Sequence, residues 1–347
     1  MSIGDRVKLG RSLAQMTQRE LAQKVGVTHQ AISKYERNMD LPSTDVLLRL
    51  SKALSVELDF FFRTSEIKLK AKYYRQSGKL TEKQKDAVNS QVRAWIERYF
   101  EIENLVMPDP FPIFAIPGNV DRHIASIEDA ERVAGELRIS WSLGLDPIDS
   151  LTELLESKGI KVGLVEGVTD FDACVYIANG IPVMAIKDNV PGDRQRFSLC
   201  HELAHIVLEP IRPLDMEKAA NRFAGAFLVP KEAVIEELGH ARTRIHLQEL
   251  FLLKHKYGLS MQGWVHRAED LSIISHSTAG KMFAYFKANK LDVCEPGKQI
   301  SPEIPSRMER LALKGIAEGL ISDRRATELL NKPLDNLSLS PCVQRSG

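Results

Sequence analysis

Leu199-Cys200-His201-Glu202-Leu203-Ala204-His205-Ile206-Val207-Leu208-Glu209 is the stretch of this chain whose reading decides its fold. His201 and His205 are four residues apart, so on a helix both imidazoles leave one face about a turn apart, close enough to hold one metal ion. Glu202 follows the first histidine and can reach the open side of such an ion without being a ligand. Two neutral imidazoles, and a carboxylate that takes the proton from the attacking water, are the constellation of zinc peptidases. Phe197, Leu199, Leu203, Ala204, Ile206, Val207 and Leu208 cover the rest of the helix, which reads as internal. Two satisfied histidines on a buried helix are the plainer reading. It is the weaker one, because two imidazoles and a glutamate are costly to bury without a metal.

A zinc site needs a third protein ligand. Residues 217–230 have Ala220, Phe223, Ala224, Phe227 and Leu228 at helical spacing, with small residues that let two helix backbones come close. Pro210 and Pro213 separate this helix from the first. Glu217 at its start is taken as the third ligand, and Asn221, one turn on, as a group that orients a ligand or the substrate. Glu209, four residues past His205, and Asp215 are the rivals.

Arg194 through His205, followed by Glu217-Lys218-Ala219-Ala220-Asn221-Arg222-Phe223 and its continuation to Pro230, resembles the ImmA/IrrE metallopeptidases. The resemblance covers roughly residues 125–275. It implies a gluzincin-like centre with His201, His205 and Glu217 on zinc and Glu202 as the catalytic glutamate. Cys200 stands where the family more often has a small residue; it is read as core filling, with a redox-sensitive thiol as the alternative. Arg194 and Arg196 join Asn221 as supporting residues around the centre, by salt bridges or, less simply, by substrate contact.

Upstream, residues 126–141 and 148–158 read as helices. Runs at 161–165, 173–178 and 183–186 are β-branched or apolar between Gly-, Asp- and Asn-containing turns and read as strands. A short sheet of this kind can take an extended peptide on its edge above the metal helix.

The N-terminal residues form a separate module. Thr17 and Glu20 make a capping box, Gly26-Val27 a tight turn, and Thr28 a cap for a second short helix whose Ala31, Ile32 and Tyr35 are apolar. That is the helix-turn-helix arrangement, and the segment resembles the Xre/Cro domains. By that resemblance Thr28, His29, Gln30, Ser33 and Lys34 face double-stranded DNA, Gln18 touches its backbone, and Glu36 holds the domain together.

Charge supports this division. Residues 1–100 carry 19 Lys and Arg against 11 Asp and Glu, the remainder 28 against 35, so the basic excess lies wholly in the first hundred residues, the module expected to meet phosphates and the start of the connector after it. Lys68, Lys70, Lys72, Arg75, Lys79, Lys83 and Lys85 are read as a basic run along the DNA backbone or as a solvated linker helix.

The fold class expected is therefore multidomain: an all-α helix-turn-helix domain (1–64), a charged helical connector with a Pro-rich linker (65–119), an α+β zincin-like metallopeptidase domain with a small mixed sheet (120–275), and a helical C-terminal region (276–347). The apolar stripe around Trp95 in the connector is the proposed homodimer contact, with packing inside one chain as the alternative. No signal peptide and no apolar run near 18 residues is seen, so a cytoplasmic, soluble protein without membrane partner is expected. The scattered Cys174, Cys200, Cys294 and Cys342 suggest no disulfide scaffold. The function expected is a DNA-binding transcriptional regulator with a zinc-dependent endopeptidase domain. The resemblance implies that it cleaves a helix-turn-helix repressor, or the protein itself. The alternative is a non-cleaving regulator or antitoxin-like protein whose metallo domain senses or binds a partner. His266 is a candidate oxyanion donor.

Overall fold

The computed structural model describes residues 1–63, 67–76, 80–107 and 113–334, with 72–76 described by their backbone. Lys79 of the basic run, the Pro-rich stretch at 108–112 and the last thirteen residues of the C-terminal region lie outside them.

Four helices open the chain: α1 (Ile3–Leu13), α2 (Gln18–Val25), α3 (His29–Glu36) and α4 (Thr44–Leu54), with a 3-10 turn at Leu58–Phe61. Thr17 and Glu20 form the capping box on α2, and Thr28 caps α3 through the Ala31 N–H. Between them Gly26 takes φ 70°, the left-handed conformation that ends α2 and turns the chain into α3. Val7, Leu21, Val25, Ile32, Leu50 and Phe61 close the small core.

The connector departs from expectation. Instead of a helix over 66–104, Leu69–Gln76 forms a strand, β1, and the helix α5 runs from Glu82 to Val106. Next come the two-residue β2 (His123–Ile124), α6 (Asp129–Ser140), α7 (Leu151–Ser157), β3 (Lys161–Val165), β4 (Phe171–Ala178) and β5 (Ile181–Lys187). The metal helix α8 (Gly192–Val207) follows, then β6 (Glu209–Pro210), paired with β2, and α9 (Met216–Leu228). The chain continues through α10 (Lys231–Leu238), α11 (Leu247–Tyr257), α12 (Met261–Asp270), α13 (His276–Ala288), α14 (Arg307–Ala317) and α15 (Asp323–Leu330). The main sheet has the order β1-β4-β5-β3; β4 is antiparallel to both neighbours and β3 is parallel to β5. Helical domain first, then α+β with a small mixed sheet and a helical end: the fold class is as read.

Alternation along β4 and β5 splits the sheet's two faces. Ala173, Val175, Met184 and Ile186 share a core with α8 and α9. Cys174, Tyr176, Val183 and Ala185 face α5, whose Val88, Val92, Ile96 and Tyr99 cover them. A Cβ on Gly163 would stand 2.9 Å from the Trp95 ring, so that glycine lets the indole lie on the sheet. This corrects the proposed dimer contact: the stripe around Trp95 is used within the chain.

Helices α14 and α15 pack on the far end of α5 through Leu311, Ile321 and Leu329. The segment leading to α14 is sewn onto α8: the Gly192 N–H donates to Ile300 O (2.8 Å), and the Gln195 side chain exchanges two bonds with the Glu303 backbone (2.9 and 2.7 Å). The first domain is tied down as well, through Arg6 of α1 and Glu97 of α5 (2.6 Å).

One buried carboxyl in this assembly gives a pH signature. Glu156 is 2 % exposed, and burial pushes its pKa from 4.5 up to about 7, against the Arg307 N–H, Arg310, Arg307 and Lys161, which favour the anion. The native state then holds this proton more tightly than the unfolded chain. Stability should fall as pH rises from about 4.5 through 7, by about 3 kcal/mol, and level off above. Glu156→Gln should remove that decline in denaturant unfolding measured across this range; an unchanged profile would contradict it.

Candidate metal centre

Helix α8 is buried along nearly its whole length, and His201, Glu202 and His205 are at most 4 % exposed. Helix α9 crosses it with small residues at the contact: Ala219, Ala220 and Ala224 are wholly buried, which lets Glu217 come down onto the histidines. His201 Nε2 and His205 Nε2 are 3.1 Å apart, and the two Glu217 carboxylate oxygens lie 3.3 Å from one and the other. Asn221 Oδ1 is 2.9 Å from His201 Nδ1. An amide oxygen only accepts, so the ring proton sits on Nδ1 and the Nε2 lone pair points at the partners.

The donor set suits a metal. Ligands about 2.1 Å from a tetrahedral ion stand about 3.4 Å apart, close to the three separations found here. Two nitrogens and one carboxylate on three of four positions is the donor pattern of catalytic zinc. Among the described residues, this is the group of His, Cys, Asp and Glu side chains whose ligand atoms converge, all within 4.8 Å. The Glu217 side chain is 63 % exposed, so the centre opens to solvent on that side.

The rivals are engaged elsewhere. Glu209 pairs with Arg122 (3.0 Å), and Asp215 caps α9 by accepting from the Lys218 N–H. Glu202 is wholly buried; burial first, and then the charge of Glu202, raises the pKa of the Cys174 thiol.

Of the supporting residues, Asn221 bonds to His201, while the two arginines form ion pairs away from the histidines. Arg194 bonds to Asp172 (2.6 Å), and Arg196 bonds to Glu303 and to Ile148 O. Both brace α8 against its surroundings. His266, the candidate oxyanion donor, is exposed and lies on the Phe283 ring of α13, 4.4 Å between centroids. Cys200 is fully buried, and burial raises its thiol pKa, so it fills core and is not a reactive thiolate. Missed by sequence reading was Glu303, which takes Arg196 and the Thr152 N–H (2.7 Å) and closes the back of α8. Nothing local to Glu303 signals it.

On the first domain Thr28, His29, Gln30 and Lys34 are exposed and Ser33 half-exposed along α3. The Gln18 amide donates to Glu36 (2.7 Å), which also holds Arg11, so Glu36 ties α1, α2 and α3 together. Lys83, at the start of α5, lines a groove with Arg11, Gln18, Arg19 and His29. The expected basic run is thereby divided: Lys68 and Lys70 are on the sheet side of the connector, and Lys83 stands beside the recognition elements. Among the described residues no helix is long and apolar enough to cross a membrane.

Residues 8–61 match the helix-turn-helix family and residues 161–269 the IrrE N-terminal-like domain. The HTH-type transcriptional regulator ImmR of Bacillus subtilis (strain 168) is 39% identical over 70 residues, 20% of this chain and 55% of that protein. A transcriptional regulator in the ATPase CF(0) region of Rhodospirillum rubrum is 39% identical over 64 residues, 18% of this chain and 59% of that one. The chain spans about half the length of these curated relatives. The crystal structure of ComR from S. thermophilus, in complex with DNA and its signalling peptide ComS, aligns over 95% of this chain and 91% of that one. Identity there is 13% and the TM-score 0.17, too low to argue from.

Proposed function

We propose that this chain, which joins a helix-turn-helix domain to an IrrE-like peptidase domain, is a cytoplasmic transcriptional regulator that hydrolyses peptide bonds. The observation that carries the reading is the meeting of His201, His205 and Glu217 beside the buried Glu202. His201, His205 and Glu217 would hold zinc, which as a Lewis acid polarises the scissile carbonyl and makes a nearby water more acidic. Glu202 accepts the water's proton at its carboxylate and passes it to the leaving amine. Asn221 fixes the His201 ring and its tautomer. The apolar wall of α8 and the sheet excludes bulk water, which strengthens each of these interactions.

The substrate proposed is a helix-turn-helix repressor, either a separate protein or another copy of this chain. Incubating wild type and Glu202→Gln with such proteins and weighing the fragments tests it. Cleavage by neither protein, with promoter regulation intact in both, would leave a regulator whose metallo domain senses or binds.

For DNA, α3 enters the major groove as a homodimer on an inverted repeat, since one small module contacts too few bases for selectivity. Because the Trp95 stripe is covered, that dimer would use another surface. Gln30→Ala should lower preference for the selected site by about 1–3 kcal/mol, whereas Lys83→Ala should weaken all duplexes alike and reduce the salt slope by about one. Binding assays at several salt concentrations separate the two; equal loss of selectivity in both variants would contradict the placement of α3.

A further inference from the structure

The connector between the first domain and α5 belongs to the sheet of the metallo domain, and it takes the edge next to β4, one of the two strands on which α8 packs. Two contacts set how α8 runs along β4. Arg194, in the first turn of α8, bonds to Asp172 near the start of β4. Further along, Leu199 and Leu203 of α8 share a core with Ala173 and Val175 of β4. The rise of the helix past Arg194 carries His201 and His205 about 10–16 Å on, towards the later half of β4. The register places β1 against that half: Leu69 opposite Ala178, Lys70 opposite Ile177, Ala71 opposite Tyr176, Tyr73 opposite Val175 and Tyr74 opposite Cys174. At the other edge, β3 packs on α5 and α7.

An extended peptide is readily captured as a strand added to a sheet edge, because main-chain bonds supply affinity without demanding one sequence. Resting on the peptidase reading above, we propose that Leu69–Gln76 is an internal strand standing in for such a peptide, and that an extended peptide reaches the centre only by replacing it on β4. The strand is built to be replaceable. Its ladder is broken by irregularities between Ala71 and Tyr73 and between Arg75 and Gln76, which leave fewer regular bonds than a continuous strand makes. Its beginning is anchored: the Ile67 carbonyl accepts from Arg93 (3.1 Å) and the Lys68 N–H donates to Asn179 (2.9 Å). The first domain, held to α5 by Arg6 and Glu97, is joined directly to the anchored end, so a change in its docking on DNA or a partner is felt by the strand.

The test uses the full zinc-loaded chain carrying Glu202→Gln, with a fluorescein-labelled peptide copying residues 67–78 as the probe and anisotropy as the readout. Lys70→Cys combined with Ile177→Cys places a reversible lock between paired positions, one exposed and one half-exposed. The oxidised lock should bind no probe, and reduction should restore the binding of the parent. Ala71→Pro, which removes a backbone N–H and weakens the strand, should tighten probe binding about tenfold by raising the fraction with an open edge. Equal binding by oxidised and reduced lock, or no probe binding by either Ala71→Pro or the reduced lock, overturns the proposal. Should Ala71→Pro fail to fold, the lock decides alone. Anisotropy needs no cleavage, so a lock that gates binding in a chain that cuts nothing sinks the peptidase reading and leaves the strand proposal standing. Equal cleavage by oxidised and reduced lock with Glu202 intact does the reverse.

Discussion

Replacing Glu202 by glutamine is expected to lower peptide hydrolysis about 10²- to 10⁴-fold while leaving the zinc content and fold unchanged. The carboxylate is wholly buried beside two histidines, yet it is not one of the converging ligand groups. Glutamine keeps its size and its capacity to accept hydrogen bonds but cannot take a proton, so the change removes the base and little else. A loss of this size corresponds to about 3–5 kcal/mol of barrier. Fragment yield by mass spectrometry, beside elemental analysis of both proteins, reads it. A variant that loses zinc together with activity would make Glu202 a structural residue. One that keeps full activity would move the base elsewhere.

The second large effect is on stability, at Glu131. This residue of α6 accepts from Arg267 of α12 through two bonds (2.8 and 2.7 Å) and from Arg222 of α9 (2.7 Å). Burial pushes its carboxyl up, and the two guanidiniums, Arg267 first, more than reverse this and hold it below the usual carboxylate range. Arg267 is 1 % exposed and spends one further bond on Val229 O. Glu131→Ala leaves that guanidinium buried without its counter-charge, and about 3–5 kcal/mol of stability should go with it. Denaturant unfolding measures this, and a loss below about 1 kcal/mol would contradict it. Replacing both partners by apolar residues of similar volume should recover much of the loss. Because the pair clamps α9, the single variant should also bind zinc more weakly through misplacement of Glu217 and Asn221.

The centre was largely legible in the sequence because its parts are local. His201 and His205 share a helix face by their spacing alone, and Glu217 is the first acidic residue of a helix whose alanines advertise close packing. The sheet strands between 161 and 187 were legible for the same reason, as apolar runs bounded by turns. Strand β1 was not, because lysines hide the alternation in Leu69-Lys70-Ala71-Lys72 and make the segment read as part of a charged helix. Lysine on every second residue is also how an edge strand resists further pairing, and that signal was present. The apolar stripe on α5 was visible but not its target, since a helix face states that it is covered and not by what. Glu303 is about a hundred residues from Arg196, and no pattern in the chain links them.

The central claim is that two helices bring His201, His205 and Glu217 onto one zinc ion, and zinc stoichiometry tests it most directly. Protein stripped with chelator, reloaded and dialysed should carry one zinc per chain as wild type and Glu202→Gln, and markedly less as His201→Ala, His205→Ala or Glu217→Ala, with circular dichroism showing each variant folded. Full zinc retention by folded Glu217→Ala would contradict the account, and would return the third position to Glu209 or Asp215.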